Sequence, residues 1–364
     1  MGRLLVLLFF VFNIFLLQAQ DKQKEKDSVK SFQIIPFPNI SNNQVFGWGG
    51  GINVAMLYPL NKKDTVSPVT TTVIQPMYFQ NDTWWVALYS EMYFAQDKWR
   101  SVFLGFKSNV NFQFYTKDYL PDYPDKIVSY TGNVSTASIS LMRKIFPKFY
   151  FGMQYIYGRS EVSFPDNEII ERLLKKFSYT ENTESGLGFT LNYDTRNDIY
   201  SPDKGMYLIA NNYFYRDALG STVDYDFIMT EFSYYKRLSS KLVWASKLGI
   251  QATLGDVPFI DENVQGFGGM RAMDLRGYNK GEYRGEQMYN AQTEFRYNIY
   301  NRYSVNGYLG AGTVFNPGDQ KPFLPAAGLG LRYLASTKYK VKVGIDYAWG
   351  KDDHGIYFLI GEAF

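Results

Sequence analysis

Cysteine is absent from this sequence, and histidine occurs once, as His354. The lack of cysteine excludes disulfide bonds, thiolate catalysis, cysteine-ligated metals and a lipid attached through an N-terminal cysteine. Charge of one sign is not concentrated anywhere, and the formal net charge is +3 at pH 7, so nucleic-acid binding has no compositional support. Beyond position 20 no apolar run reaches the roughly 20 residues that a membrane-spanning helix needs. If the rest of the chain enters a membrane, it must do so as strands.

Enzyme chemistry is also poorly supported. His354 stands beside Asp352 and Asp353 in a polar stretch, which is typical of a solvated loop. The glycine-rich run 47–51 opens a predicted strand rather than a helix, so it indicates strand flexibility or close packing and not a phosphate site. We therefore predict no enzyme, no catalytic residue, no metal and no cofactor.

Aromatic residues are abundant, with 31 Tyr, 29 Phe and 6 Trp among 364 residues. The mean hydropathy is nevertheless only −0.27, well below that of a helical membrane protein. High aromatic content at low mean hydropathy is typical of a membrane β-barrel, in which lipid-facing and lumen-facing residues alternate along each strand.

The N-terminus has the pattern of a secretory signal. Arg3 is followed by the apolar stretch 4–17, and polar and charged residues begin at Gln18. We predict a signal peptide over 1–19, cleaved after Ala19, then a charged periplasmic tail over 20–30 and a barrel over 31–364. An uncleaved anchor is the alternative. An exported chain built of strands is expected in the outer membrane of a Gram-negative bacterium.

Apolar and polar residues alternate with period two in segment after segment, which predicts an all-β chain. In one example, Tyr289, Phe295 and Tyr297 share one face, and Glu294 and Arg296 share the other. The predicted strands are 44–58, 67–80, 83–95, 98–116, 130–145, 148–162, 184–196, 204–216, 223–237, 240–254, 286–299, 302–316, 323–335, 338–349 and 354–364.

Loop lengths alternate between short and long when they are followed back from the C-terminus. Short turns belong on the periplasmic side and long loops outside. On that basis the strand at 44–58 runs from the outside toward the periplasm. A chain exported to the periplasm therefore needs one earlier strand that runs toward the outside. The segment 31–40 is the candidate, and Pro36 and Pro38 predict that it is short and weakly paired. The prediction is a transmembrane antiparallel β-barrel of about 16 strands.

Two further segments have a recognisable pattern. Residues 167–176 predict a short amphipathic helix in an extracellular loop, which more often covers a loop than binds a partner. In the last predicted strand Phe358, Ile360 and Phe364 share one face. An aromatic-terminated final strand is what barrel-insertion machinery recognises, by resemblance to barrels in general.

The longest loop, 256–285, contains the most unusual stretch of the chain. Its glycines permit close backbone approach, so the loop could fold into the lumen and bring a guanidinium to a carboxylate. Glu294 on the next strand is predicted to face the lumen. The residues singled out in the loop are Gly268, Gly269, Leu275, Arg276, Gly277 and Tyr278.

With these motifs the chain resembles the barrel domain of the BamA/TamA outer-membrane assembly superfamily, also called the bacterial surface antigen family. The family has an Arg-Gly-aromatic motif on a long loop tucked into the barrel, which Arg276, Gly277 and Tyr278 match. Glu294 matches an acidic residue that the family places after this loop. A turn motif is also matched, by Asp194, Arg196, Asp198, Pro202 and Gly205.

Two departures accompany the resemblance. Gly310 stands where the family's Asp partner of the loop arginine is expected, so the pair must use Glu294 or another acid, such as Glu231 or Asp274. The roughly dozen residues expected between the signal peptide and Ser31 leave no room for the POTRA domains that assembly factors carry, so we expect a short form of the family.

Three functions remain open at this point. The resemblance implies that the barrel assists insertion or translocation of a protein or lipid client through a weak seam between its first and last strands. A passive pore or transport barrel is the second, and steady conductance in a planar bilayer would identify it. A non-catalytic subunit of an outer-membrane complex is the third. Expected partners are outer-membrane lipid, barrel-insertion machinery, and a protein client or complex; no nucleic acid is expected.

Overall fold

The computed structural model describes residues 32–43, 46–115, 127–164, 168, 170–172, 180–258, 261–265, 275–278, 282–337 and 340–364. The expected signal peptide and tail lie outside the described residues, as do Gly268, Gly269 and much of the predicted loop helix. Residues 168 and 170–172 of that helix are described, and they are helical. No described helix has the length and apolar character needed to cross a membrane.

Sixteen strands form one antiparallel sheet in the described part of the chain, and each pairs with its neighbours along the chain. This confirms the predicted barrel and its strand number. Two short strands inside the longest loop pair only with each other. The strands are β1 Gln33–Asn43, β2 Gly47–Tyr58, β3 Thr70–Phe79, β4 Trp84–Phe94, β5 Trp99–Tyr115, β6 Ile127–Phe146, β7 Phe149–Ser163, β8 Glu181–Asp194, β9 Lys204–Tyr215, β10 Tyr225–Arg237, β11 Leu242–Gly255, β12 Asn263–Val264, β13 Arg284–Gly285, β14 Gln287–Tyr300, β15 Tyr303–Phe315, β16 Leu324–Ser336, β17 Val341–Trp349 and β18 His354–Ile360.

The alternation along β14 shows why these residues form a barrel wall. Glu294 is fully buried, while Phe295 and Tyr297 are 48% and 45% exposed on the outer face. Successive side chains point to opposite faces of a strand, so charged groups meet inside while aromatic and aliphatic groups face outward. The interior is therefore a packed polar and aromatic core lined by the inward faces of the strands.

The described helical residues of the loop between β7 and β8 lie over this interior. Ile170 is buried among inward-facing apolar side chains that include Phe112, Tyr130 and Val162, and Phe164 packs beside it. This packing matches the interpretation of the helix as a loop cover.

Strand β1 differs from its prediction. It is neither short nor weakly paired to β2: the ladder runs from Gln33 opposite Leu57 to Asn43 opposite Gly47. The register explains how prolines fit. The Gln80 N–H donates to the Trp48 carbonyl (2.9 Å), so even-numbered residues of β2 direct their backbone polar groups to β3 and odd-numbered ones to β1.

Odd-numbered residues of β1 pair with odd-numbered residues of β2. The backbone nitrogens of Pro36 and Pro38 therefore point away from β2, toward the free edge of the sheet. Proline is tolerated there because no ladder hydrogen bond is lost. The same edge lacks two N–H donors that a neighbouring strand would need.

The two ends of the sheet, β1 and β18, face each other across a seam. Among the described residues no strand ladder joins them, although the rings of Phe37 and Phe358 lie 6.2 Å apart. The Ser336 hydroxyl at the end of β16 donates to the side-chain oxygen of Gln33 (3.0 Å). The seam is thus closed by side chains rather than by backbone pairing.

Candidate functional site: the lumen loop and its ion-pair network

The loop between β11 and β14 returns to the barrel interior through the ribbon of β12 and β13. Its described segment 275–278 is buried. Leu275 lies in an apolar cluster with Tyr308, Leu324, Ala326 and Ala348, which are inward-facing residues of β15, β16 and β17. The Arg-Gly-aromatic motif is therefore held against the wall formed by the last strands.

Arg276 is bound by two carboxylates and an aromatic ring. Its Nη2 lies 2.8 Å from Glu294 Oε2, and its Nη1 forms an ion pair with Asp346. The guanidinium carbon lies 3.7 Å from the centre of the Tyr308 ring, and the Tyr308 hydroxyl donates to the Arg276 carbonyl (2.9 Å). A planar guanidinium presents its donors in a rigid fork that suits two acids at fixed positions, a geometry that the single ammonium of lysine does not reproduce.

The residues after Arg276 lock the backbone of the loop. The Gly277 N–H donates to the Tyr357 hydroxyl oxygen (2.8 Å), and Gly277 has a φ of 104°. A Cβ at this position would lie 2.5 Å from the carbonyl carbon of Trp349, so glycine is required both for conformation and for space. The Tyr278 hydroxyl donates to the Pro325 carbonyl (2.6 Å). Each bond ties the loop to a different strand or turn of the last four strands.

Gly310 has a steric role in place of the expected acid. A Cβ on Gly310 would lie 2.9 Å from Leu275 Cδ2, so the glycine makes room for the loop leucine. The second acid is Asp346 on β17, which the sequence argument did not identify. Of the two other acids considered, Glu231 accepts a bond from the Ser233 hydroxyl (3.2 Å), and Asp274 lies outside the described residues.

The charges extend beyond Arg276 into a network across the lumen. Arg296 Nε lies 2.8 Å from Glu294 Oε1. Arg332 binds Asp346 and lies 3.4 Å from Glu362 Oε2. The described members are Arg276, Arg296, Arg332, Lys342, Glu294, Asp346 and Glu362. Removing one partner from such a buried network costs about 3–5 kcal/mol, because it leaves a charge without compensation.

The end of the chain joins this network instead of continuing the last strand. Strand β18 ends at Ile360, and Phe364 packs against inward-facing residues that include Tyr207 and Tyr235. Arg296 Nη2 donates to the main-chain oxygen of Phe364 (2.6 Å). Phe364 was expected to share the face of Phe358 and Ile360 on this strand; that placement is wrong because the chain turns inward after Ile360 to satisfy Arg296.

A family model described as the Omp85 superfamily domain matches residues 78–364 of this chain. The chain belongs to the Omp85 superfamily. It is therefore an outer-membrane β-barrel of the Omp85 type, and the predicted resemblance to the BamA/TamA group is confirmed. No curated protein matches the chain.

Solved Omp85 structures share this fold at low sequence identity. BamA from Haemophilus ducreyi lacking POTRA domains 1–3 superposes with a TM-score of 0.61 at 17% identity, covering 91% of this chain and 70% of that one. CdiB from Acinetobacter baumannii gives 0.55 at 14% identity, covering 91% and 65%. CdiB from Escherichia coli gives 0.59 at 11% identity, covering 92% and 63%. The Omp85 chain described here thus spans less than two thirds of either CdiB chain.

The turn motif of this Omp85 chain lies between β8 and β9. Arg196 is bound in a fork by Asp194, with Nε–Oδ1 and Nη2–Oδ2 distances of 3.0 and 2.9 Å. The Asp198 carboxylate accepts the backbone N–H groups of residues 200 and 201, and the Pro202 carbonyl accepts a bond from Arg296 (3.4 Å). Gly205, with a φ of 104°, allows the chain to re-enter the wall as β9. The motif residues build one rigid turn at the end of the lumen network.

The sequence predicted that Glu294 faces the lumen and could pair with Arg276, but it did not connect the other members of the network. Asp346 and Lys342 fall on the polar face of β17, and Arg296 falls on that of β14, as period two predicts. A charged residue at an inward position of a membrane strand was the signal by which the sequence could have indicated the other members of the network. Among the described residues no group of three or more His, Cys, Asp or Glu side chains is placed so that it could hold a metal ion.

Proposed function

We propose that this Omp85 barrel assists the insertion or translocation of a protein or lipid client at the outer membrane, through its seam. The observation that carries the proposal is the contact between β1 and β18, where the sheet closes without a ladder in the described residues. The free edge of β1 lacks the N–H groups of residues 36 and 38, so a full ladder with β18 is disfavoured there. A seam closed by side chains opens at lower cost than one closed by backbone hydrogen bonds.

The lumen contents support this function over a passive pore. The loop segment 275–278, the network around Glu294 and the tail ending at Phe364 occupy the interior beside β14–β18. A client route through the centre would require these elements to leave, at about 3–5 kcal/mol for each buried charge that loses its partner. A route through the seam leaves the network intact. A steady open conductance in a planar bilayer would favour the pore instead.

A reversible disulfide across the seam tests the proposal. The chain has no cysteine, so Phe37→Cys with Phe358→Cys introduces the only pair. Oxidation is expected to impair growth or client insertion, and a reductant is expected to restore it, because the seam can then no longer separate.

The matched control places the same bond inside a ladder. Ile34 and Met56 are directly opposite in β1 and β2, and the register makes them a non-hydrogen-bonded pair, whose Cα atoms are typically about 4.5 Å apart. Oxidised Ile34→Cys with Met56→Cys should leave growth and client insertion unchanged. An oxidised seam pair with no phenotype would reject seam opening as the mechanism.

A further inference from the structure

The turn of residues 195–203 reaches far beyond the two strands it joins. It lies at the same end of the barrel as the turns β6–β7, β10–β11 and β14–β15, called here the short-turn end. The Asn197 side-chain oxygen accepts the backbone N–H groups of Asp203 and Lys204 (3.1 and 3.0 Å). With the Asp194–Arg196 pair, these bonds give the turn a defined shape of its own. A connection that served only to reverse the chain would not need them, as the two-residue turn between β6 and β7 shows.

One side of this turn contacts the beginning of the sheet. The Tyr200 hydroxyl lies 2.5 Å from the Thr71 hydroxyl and 3.5 Å from the Val69 carbonyl. Thr71 is the second residue of β3, and 129 positions separate it from Tyr200 along the chain. The turn therefore spans the mouth of the barrel from β8–β9 to the first strands.

The other side contacts the end of the sheet. The Ser201 hydroxyl donates to the Lys340 carbonyl in the turn between β16 and β17 (2.7 Å). The Lys340 ammonium lies 3.4 Å from Asp198 Oδ2. The Lys340 side chain is 58% exposed, so solvent screens this ion pair and it contributes little.

Both sides meet in one apolar cluster at the seam. Tyr200 packs against a buried group that includes Ile35 of β1, Leu57 of β2, Val69 before β3 and Val341 of β17. Strands β1 and β17 lie on either side of the short strand β18, so this cluster crosses the seam. The Tyr200 ring is partly buried in this cluster, and that apolar contact would be lost if the two sides separated around it.

We propose that residues 195–203 act as a latch across the short-turn end of the barrel, and that Tyr200 holds the two sides of the seam together. The seam is closed there by this latch and by the Gln33–Ser336 bond, since no ladder joins β1 to β18 in the described chain. Release of Tyr200 precedes separation of the seam. The latch proposal rests on the proposed function only in assuming that the barrel opens at the seam.

The width of the seam in the purified full chain tests the latch without any client. Ile34 on β1 and Ile345 on β17 are exposed on the outer face, at 53% and 45%. Cysteines at these two positions carry nitroxide labels, and electron–electron double resonance measures the distance between them. The background variants are Tyr200→Ala, Tyr200→Phe and Thr71→Val. Ser239→Ala, in the turn β10–β11, is the matched control because Ser239 bonds only within its own turn in the described contacts.

The expected result is a graded one. Tyr200→Ala should shift the distribution to longer distances or add a longer component, by about one strand spacing of 4.8 Å. Tyr200→Phe and Thr71→Val, which remove the hydroxyl contact and keep most of the packing, should give a smaller change in the same direction. Heat-modifiable migration on gels identifies folded barrels before the measurement.

Two results would overturn the latch. One is an unchanged distribution in folded Tyr200→Ala and Thr71→Val barrels. The other is a Ser239→Ala change as large as that of Tyr200→Ala, since general loosening would then explain both. Either result leaves the seam disulfide experiment unaffected, so failure of the latch and failure of the proposed function are distinguishable.

Discussion

Removing the guanidinium of Arg276 should release the lumen loop without unfolding the barrel. In the Arg276→Ala variant Glu294 keeps Arg296, at 2.8 Å, and Asp346 keeps Arg332, with an Nη2–Oδ2 distance of 3.1 Å. Neither acid is left without a cation, so the cost falls at the lower end of the range for a broken buried pair, about 3 kcal/mol. That free energy corresponds to roughly a hundredfold change in the ratio of docked to undocked loop.

Hydrogen exchange at the Gly277 amide measures this equilibrium directly, because that N–H is bonded to the Tyr357 hydroxyl in the docked loop. At fixed pH in detergent micelles, exchange over 275–278 should be about a hundredfold faster in Arg276→Ala than in the parent. Arg276→Lys should lie between them, since an ammonium keeps the positive charge but lacks the fork of donors of the guanidinium.

The matched control is Arg216→Ala. Arg216 pairs with Asp226 at 2.6 Å, but its side chain is 41% exposed, so the change in exchange should correspond to 1 kcal/mol or less and should stay within its own loop. Equal exchange over 275–278 in Arg276→Ala and the parent would refute the reasoning. The docked loop would then depend on packing of Leu275 and Tyr278 alone.

Two further outcomes are expected from the same structure. Gly277→Ala should undock the loop more completely than Arg276→Ala. Its Cβ would lie 2.5 Å from the Trp349 backbone, and alanine is also strained at a φ of 104°. Hydrogen exchange over 275–278 as slow as in the parent would contradict this expectation. In the turn β2–β3, bonds to the Asp64 carboxylate from the backbone N–H and hydroxyl of Ser67 and the N–H of Gln96 hold the pKa of Asp64 well below its ordinary 3.8. Because the pKa is lowered in the folded protein, the stabilisation is fully present above pH 3.8 and is lost as the pH falls below that value. Hydrogen exchange at the Ser67 and Gln96 amides should therefore differ between Asp64→Asn and the parent from pH 7 to 5. This difference should shrink below pH 4. A difference that disappears already between pH 6 and 5 would show that another group controls this turn.

The sequence alone was sufficient for the fold class, the number of strands and most strand limits. Period two is a local property of each strand, so it can be read without knowing which strands are neighbours. The proximity of Arg276 and Glu294 was also accessible, because the loop motif and the inward position on β14 lie close together along the chain. The two-stranded ribbon β12–β13 was not predicted, since two-residue strands have no period to detect.

Only the tertiary structure brought together residues whose meeting depends on barrel closure. Asp346 reaches Arg276, and Tyr200 reaches Thr71, across separations of 70 and 129 residues that local patterns cannot register. Which inward charges meet depends on the tilt and stagger of the strands, and these are set by closing the whole sheet. The inward turn of Phe364 follows from the same cause, since Arg296 offers its main-chain oxygen a partner only once β14 and β18 share a lumen.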